Sequence, residues 1–183
     1  NDELGYNDPV LVRWFNYLKN IITEGDFGES YSTKLNVLDE LWPRFLITLR
    51  LAILVLVLSV CIGVPLGILS AVKQNSLLDT IPTMIAFFLA AVPSFVVGIL
   101  LMYVFALKLG WFPSFGLKSV KHYVLPVIAA TICELSAYLR FTKSSMLESI
   151  RQDYVRTARA KGVAERTVIW KHALKNALLP VVT

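Results

Sequence analysis

Residues 51–72 read LAILVLVLSVCIGVPLGILSAV, a run of 22 residues without a charged side chain, bounded by Arg50 and Lys73. An α-helix rises about 1.5 Å per residue, so this run would be about 33 Å long, which matches the roughly 30 Å hydrocarbon core of a bilayer. The run therefore predicts a transmembrane helix. A buried helix of a large soluble protein is the alternative, and further runs of the same kind argue against it.

Two more apolar runs follow in the same short chain. Residues 80–107 form a charge-free run of 28 residues, and residues 123–139 form a run of 17 in which Glu134 carries the one charge. The chain is 56% hydrophobic and 17% charged, whereas soluble domains contain about 25% charged residues. We predict an all-α integral membrane protein, a polytopic bundle of transmembrane helices.

Charged residues are distributed unevenly along the chain. Residues 1–44 contain eight acidic and four basic residues, whereas residues 140–175 contain nine basic and three acidic ones. Because Lys and Arg are enriched in cytoplasmic loops, the basic segment is predicted to be cytoplasmic. The predicted order is an extracytoplasmic segment 1–44, a transmembrane helix 45–72, a cytoplasmic loop 73–80, a transmembrane helix 81–107, an extracytoplasmic loop 108–122, a transmembrane helix 123–139, a cytoplasmic loop 140–176 and the start of a further span at 177–183.

Both ends of the chain suggest a longer protein. The first residue is Asn1 rather than Met, and a new apolar stretch is just beginning at residues 177–183. An extracytoplasmic N-terminal segment also needs an upstream span to carry it across the membrane. We therefore expect a fragment that lacks the first span and the last spans.

Small residues recur every four positions in the first apolar run, at Ser59, Gly63, Gly67 and Ala71. This spacing places them on one face of a helix, where small side chains let two helices approach closely in lipid. The pattern favours helix packing. The alternative is a flexible helix that lines a gated pathway.

Three residues within the apolar runs are candidates for a translocation pathway. Pro93, followed by Ser94, removes a backbone hydrogen bond from the middle of the second run. Glu134 is an acid within a predicted span, and such carboxylates face a protein interior or a water pathway. A structural role, or a position of Glu134 close to the interface, is the alternative for these residues.

The basic segment predicts two short helices separated by a turn. A capping pattern at Ser145–Glu148 predicts a helix start, Gly162 is typical of a helix C-cap, and a second helical pattern follows from Ala164 to Leu178. Such a unit could bind nucleic acid, anionic lipid or a cytoplasmic protein. A spacer tethered at both ends to membrane helices is poorly suited to a DNA groove, so no nucleic-acid partner is expected.

Several stretches of the chain resemble one family. DYVRTARAKG at residues 153–162, continuing to HALKNALLP at 172–180, is similar to the cytoplasmic loop of binding-protein-dependent ATP-binding-cassette permeases, in the dipeptide, oligopeptide and nickel branch. Ala158, Gly162 and Leu174 match the general loop pattern. Departures from it that are typical of the peptide branch occur at Arg156, Thr157, His172 and Lys175. The same branch has similar residues at 25–30, 63–67, 92–95 and 109–113, so the resemblance covers the whole chain.

The resemblance implies one of two homologous permease subunits of an ATP-driven importer in a bacterial or archaeal cytoplasmic membrane. Cytoplasmic ATP-binding subunits would dock on the loop, an extracytoplasmic binding protein would deliver substrate, and the chain itself would contact the lipid bilayer. ATP and Mg²⁺ would be used by the partner ATPases, with no cofactor on this chain. The implied ATPase-coupling residues are Tyr154, Arg156, Thr157, Ala158, Arg159, Gly162 and Leu174, with Ala158 and Gly162 in the closest contact.

The residues themselves give no sign of an enzyme. The chain has no Gly-x-x-x-x-Gly-Lys-Ser/Thr phosphate loop, no catalytic triad and no metal-ligand spacing. Peptides are the expected substrates, with nickel or another small solute of the same family as the alternative. A proton-coupled transporter using Glu134 and a membrane-anchored scaffold are the alternatives from other classes.

Overall fold

The computed structural model of the chain describes residues 9–179. Its helices are α1 (Val10–Glu24), α2 (Val37–Val72), α3 (Leu77–Ala91), α4 (Ser94–Leu101), α5 (Lys121–Ile150), α6 (Asp153–Ala160), α7 (Glu165–Thr167) and α8 (Leu174–Ala177). π-Helical turns extend α4 through Met102–Lys108 and join α7 to α8 through Val168–Ala173. Among the described residues the β-type pairing is one isolated bridge between Glu29 and Asn36. The all-α prediction is confirmed, and most of the span start predicted at 177–183 lies outside the described residues.

The chain divides into two compact units, residues 1–50 and 51–183. In the first unit, α1 ends at Gly25, whose left-handed φ of 65° lets its N–H reach back to the carbonyl groups of the last turn. The Asp26 carboxylate accepts the Gly28 N–H at 2.8 Å, and the Val37 N–H donates to the Gly28 carbonyl at 2.9 Å. The 25–30 stretch therefore forms a compact turn before α2.

The first apolar run lies within α2. This helix begins at Val37 rather than at residue 45, because the Asn36 side chain accepts the Leu38 N–H at 2.9 Å and Asp39 and Glu40 occupy its first turn. Both α2 and α5 are long and apolar enough to cross a bilayer, and the pair formed by α3 and α4 with its extension makes a third candidate span. Two to three apolar spans agree with the predicted fold class.

The second apolar run is broken rather than straight. The structure bends by 97° between Leu77–Ala91 and Ser94–Lys108. Pro93 has no N–H to continue the hydrogen-bond ladder, and it restricts the preceding residue to extended backbone; Val92 has φ −90° and ψ 124°. The single helix predicted at 81–107 is therefore two helices.

The third run continues far beyond Leu139. Helix α5 extends to Ile150 without a break, so the helix start predicted at Ser145 is wrong. The reason is burial: Thr142, Met146 and Ser149 are buried at helical spacing and continue the inward face of α5 past the charged residues Arg140 and Lys143. The third helix therefore reaches into the segment that the sequence assigned to a loop.

Candidate functional site

Helix α6 has one buried and one exposed side. Val155 and Ala158, three residues apart, are buried, and the intervening Arg156 and Thr157 are exposed. The Gln152 backbone is extended at the N-cap, and the Thr157 hydroxyl donates to the Asp153 carbonyl at 2.9 Å. The exposed side of α6, with Tyr154, Arg156, Thr157 and Arg159, is polar and basic, and we call it the ridge. The buried side, Val155 and Ala158, is its apolar base.

That base is a hydrophobic core shared with the membrane helices. Val155 and Ala158 of α6 belong to one buried cluster, which we call the loop core. Its other buried members are Ile68 and Ala71 of α2, Met146 of α5, Val168 and Ala173 of the π turn, and Ala177 of α8. Since packed interiors transmit displacement rather than absorb it, α6 is fixed rigidly to the ends of both α2 and α5.

A buried hydrogen-bond chain reinforces the loop core. Ser149, at the end of α5, donates its hydroxyl hydrogen to the Ala173 carbonyl at 2.8 Å. The hydroxyl of Tyr154 lies 2.6 Å from the same Ser149 Oγ. Because Ser149 already uses its one hydrogen on Ala173, the Tyr154 hydroxyl is the donor of this second hydrogen bond. The loop has two helical arms, α6 before Gly162 and the stretch from α7 to α8 after it. A single buried serine at the end of α5 thus joins the start of α6 to the second arm.

Gly162 forms the turn between the two arms. Its φ is +76°, a conformation that residues with a Cβ adopt only with strain, and its N–H donates to the Arg159 carbonyl at 2.9 Å. A Cβ built at Gly162 would meet no atom within 4 Å. Within this chain the glycine is therefore required for backbone conformation and leaves open space above it.

An ion pair closes the turn. The Arg159 guanidinium donates two hydrogen bonds to the Glu165 carboxylate, at 3.0 Å and 2.6 Å. These bonds hold the pKa of the Glu165 carboxyl below its usual range. Because both side chains are well exposed, the pair contributes mainly to the shape of the turn and little to stability.

The structure separates the predicted coupling residues into two groups. Tyr154, Arg156, Thr157, Arg159 and Gly162 are exposed on the ridge and turn. Ala158 is 7% exposed and Leu174 is half-buried against the loop core. The Ala158 side chain packs inside this chain, and the expectation that Ala158 and Gly162 make the closest contact with a partner stays a prediction.

The stripe of small residues on α2 lies against α5. Ser59, Gly63, Gly67 and Ala71 are all buried. A Cβ at Gly67 would lie 2.6 Å from the Thr142 Cβ and 2.8 Å from the Leu139 carbonyl oxygen. At Gly63 the nearest atom would be the Tyr138 Cβ, at 2.8 Å. The two helix backbones therefore approach so closely that only glycine fits at these positions.

One interhelical ion pair was missed by the sequence analysis. Lys143 of α5 forms a salt bridge with Asp79 in the first turn of α3, and its ammonium group also donates to the Thr83 hydroxyl at 3.2 Å. The Asp79 carboxylate also accepts the Asn75 N–H at 3.0 Å. Ahead of α3, the Ser76 hydroxyl donates to the Lys73 carbonyl and does not cap the helix. The ion pair could have been suspected from the sequence, because Asp79 directly precedes the second apolar run and Lys143 follows the third.

The candidate pathway residues Pro93, Ser94 and Glu134 are exposed in this chain. A cavity of about 340 Å³ lies beyond the bend, lined in part by Phe95, Met102, Phe115 and His122, and none of the three candidates lines it. Among residues 9–179, no three His, Cys, Asp or Glu side chains come together as a metal site. The three candidates therefore stay predictions.

Comparison with known proteins assigns this arrangement to a family. The model of the family described as "binding-protein-dependent transport system inner membrane component" matches residues 63–183, which include the Gly63–Gly67 stripe, the broken helix and the whole basic loop. The chain belongs to this family. Its membrane assignment is thereby confirmed, and the individual relatives confirm its resemblance to peptide-branch permeases.

Individual relatives cover the chain from end to end. It is 37% identical to the dipeptide transport system permease protein DppB of Alkalihalophilus pseudofirmus, over 100% of this chain and 63% of the relative. It is 40% identical to the glutathione transport system permease protein GsiC of Escherichia coli and to that of Salmonella typhi, over 99% of this chain and 59% of each relative. The chain therefore spans about three fifths of the length of these relatives.

Proposed function

We propose that the chain is part of a permease subunit of an ATP-driven, binding-protein-dependent importer for di- or oligopeptides. The observation that carries the proposal is the similarity of the whole chain to a permease named for dipeptide transport and to one named for transport of glutathione, which is a tripeptide. The permease forms the translocation pathway together with a second, homologous permease subunit. It is a transport subunit and not an enzyme, since ATP and Mg²⁺ are used by separate ATPase subunits.

The proposed orientation follows the charge distribution. Residues 140–176, with α6 and the Gly162 turn, face the cytoplasm, and residues 1–44 and 108–122 face outward. The extracytoplasmic binding protein then delivers substrate on the side opposite the basic ridge. The ATPases meet the ridge of Tyr154, Arg156, Thr157 and Arg159.

The loop core supports a mechanism for coupling. When the ATPases close on ATP, they displace α6, and α6 is fixed to Ile68 and Ala71 of α2 and to Met146 of α5. Displacement of the ridge therefore moves the ends of two membrane helices together. The exposed basic side chains contribute orientation and encounter rate more than affinity.

Uptake by reconstituted vesicles tests the function. The full permease complex is placed in liposomes with ATP inside and its binding protein outside, and labelled dipeptide, glutathione and Ni²⁺ are offered in separate experiments. We expect peptide accumulation that requires ATP and the binding protein and persists when an ionophore dissipates the proton gradient. Accumulation of Ni²⁺ alone, or loss of uptake on addition of the ionophore, would contradict the proposal.

A further inference from the structure

Helix α1 is amphipathic with two clearly separated faces. At about 100° per residue, one sector about 160° wide is apolar and aromatic throughout. It includes Val10, Leu11, Trp14, Phe15, Leu18 and Ile22. The opposite sector carries Arg13, Asn16, Lys19, Asn20, Thr23 and Glu24, with Val12 as its one apolar residue.

Most of the apolar face of α1 is uncovered among the described residues, with only Leu18 and Ile21 half-buried. No residue of α1 is buried, and Leu11 and Ile22 are each 79% exposed. The helix has 15 residues, about 22 Å, which is too short to cross a bilayer. A continuous apolar face of this size marks an interaction surface rather than a scatter of exposed side chains.

The apolar face of α1 begins next to the apolar surface of α2 within the first unit. Tyr17, at the edge of the apolar sector, lines the same cavity as Leu41 and Phe45 of α2. Trp42 stacks on Phe45 with ring centroids 5.7 Å apart, and both rings are exposed. Aromatic side chains of this kind collect at the level of the lipid headgroups.

We propose that α1 lies in the outer lipid–water interface, with its apolar face inserted among the lipid headgroups and acyl chains. The occupant of this face is lipid because its edge, at Tyr17, adjoins exposed apolar residues of α2, a helix long and apolar enough to cross a membrane, and because the face itself carries Trp14. A short apolar helix with a charged opposite face binds a membrane in this orientation. Lys19, at the border of the two faces, keeps its ammonium group in water.

Site-specific fluorescence tests the proposal on the full-length permease, assembled with the subunits that co-purify with it and reconstituted in phosphatidylcholine liposomes. Cys61 and Cys133 are first replaced by alanine. An environment-sensitive NBD label is attached to Leu11→Cys or Ile22→Cys on the apolar face, and to Asn16→Cys or Asn20→Cys as controls on the polar face. All four positions are exposed in this chain, so exposure alone cannot separate them.

We expect labels at positions 11 and 22 to emit at shorter wavelength, to be quenched by lipids carrying a shallow doxyl group and to resist iodide. Labels at 16 and 20 should show the reverse. Iodide quenching at all four positions would overturn the proposal. So would labels at 11 and 22 that neither lipid nor iodide quenches, because a protein surface would then cover the face; lipid quenching on both faces would overturn the in-plane orientation.

Discussion

The hydroxyl oxygens of Tyr154 and Ser149 lie 2.6 Å apart, and Ser149 uses its own hydrogen to bond the Ala173 carbonyl. Both arms of the basic loop are therefore held through one side chain at the end of α5. Ser149 is 5% exposed, so its hydroxyl is shielded from bulk water. The position of the ridge thus depends on a residue that is buried inside this chain.

Ser149→Ala should loosen the loop without altering its exposed surface. The substitution removes the hydroxyl that donates to the Ala173 carbonyl and accepts from Tyr154, and each hydrogen bond of this kind contributes about 0.5–1.5 kcal/mol. We expect a lower thermal midpoint of the purified complex and reduced ATP-dependent uptake. Ser144→Ala, at an exposed position of the same helix, is the control. Equal behaviour of the two variants would show that the hydrogen-bond chain carries no stability.

Gly67→Ala should weaken the packing of α2 on α5. Its Cβ would lie 2.6 Å from the Thr142 Cβ and 2.8 Å from a backbone oxygen that cannot move away. Overpacking of this kind costs about 1–3 kcal/mol. The matched control is Gly98→Ala on α4, where the nearest atom would be at 4.0 Å. Monodispersity and thermal midpoint in detergent report the difference, and a tolerated Gly67→Ala would remove the close-packing argument.

Substitutions at Gly162 can separate backbone strain from partner contact. Gly162→Asn should be tolerated better than Gly162→Ala, since asparagine adopts positive φ more readily and the left-handed conformation costs other residues roughly 1–2 kcal/mol. Gly162→Glu adds a bulky negative charge to the open space, so it should abolish uptake and weaken ATPase co-purification while the permease still reaches the membrane. Wild-type uptake and co-purification by Gly162→Glu would contradict docking at this turn.

The ion pair between Asp79 and Lys143 should show energetic coupling in a double-mutant cycle. Lys143→Met alone leaves a carboxylate that is 8% exposed without its cation, and breaking a buried pair costs about 3–5 kcal/mol. Asp79→Asn keeps an acceptor for the Asn75 N–H. We expect the double variant to be more stable than the sum of the single losses predicts. Additive losses would mean that the pair does not hold α3 against α5.

The proposed orientation predicts opposite accessibility of two exposed residues. In a background without native cysteines, Glu29→Cys should react with an impermeant thiol reagent on intact cells, and Lys161→Cys should react only after the membrane is opened. Reaction of Lys161→Cys alone on intact cells would reverse the topology. Expression of both variants at the wild-type level is the control.

The sequence alone was sufficient to predict those elements whose structure depends on a single local property. The run at 51–72 predicts a membrane helix because length and absence of charge are enough, and Gly162 predicts a turn because few residues adopt its φ. The amphipathic pattern of α1 was also readable from the 3.6-residue spacing of residues such as Leu11, Phe15 and Ile22, but it went unrecognised in a segment interpreted by charge alone.

Other features depend on tertiary packing. Arg140 and Lys143 suggested that the third helix had ended. However, Thr142, which lies between them, and Met146, which follows them, both face inward. Asp79 and Lys143 are far apart in sequence, and only the antiparallel placement of α3 and α5 brings them together. A small residue such as Ala158 fits equally well under a partner or inside a core, and burial alone distinguishes the two.

The loop core is built from residues far apart in the sequence, and this has a consequence for the synthesis of the protein. Ile68 and Ala71 are made early, whereas Val168, Ala173 and Ala177 are made much later, and the buried cluster needs both sets. A nascent chain that contains only the earlier helices therefore lacks the core on which the ridge is built. Under the proposed function, the surface on which the ATPases dock therefore forms only after the helices that it moves have been synthesised.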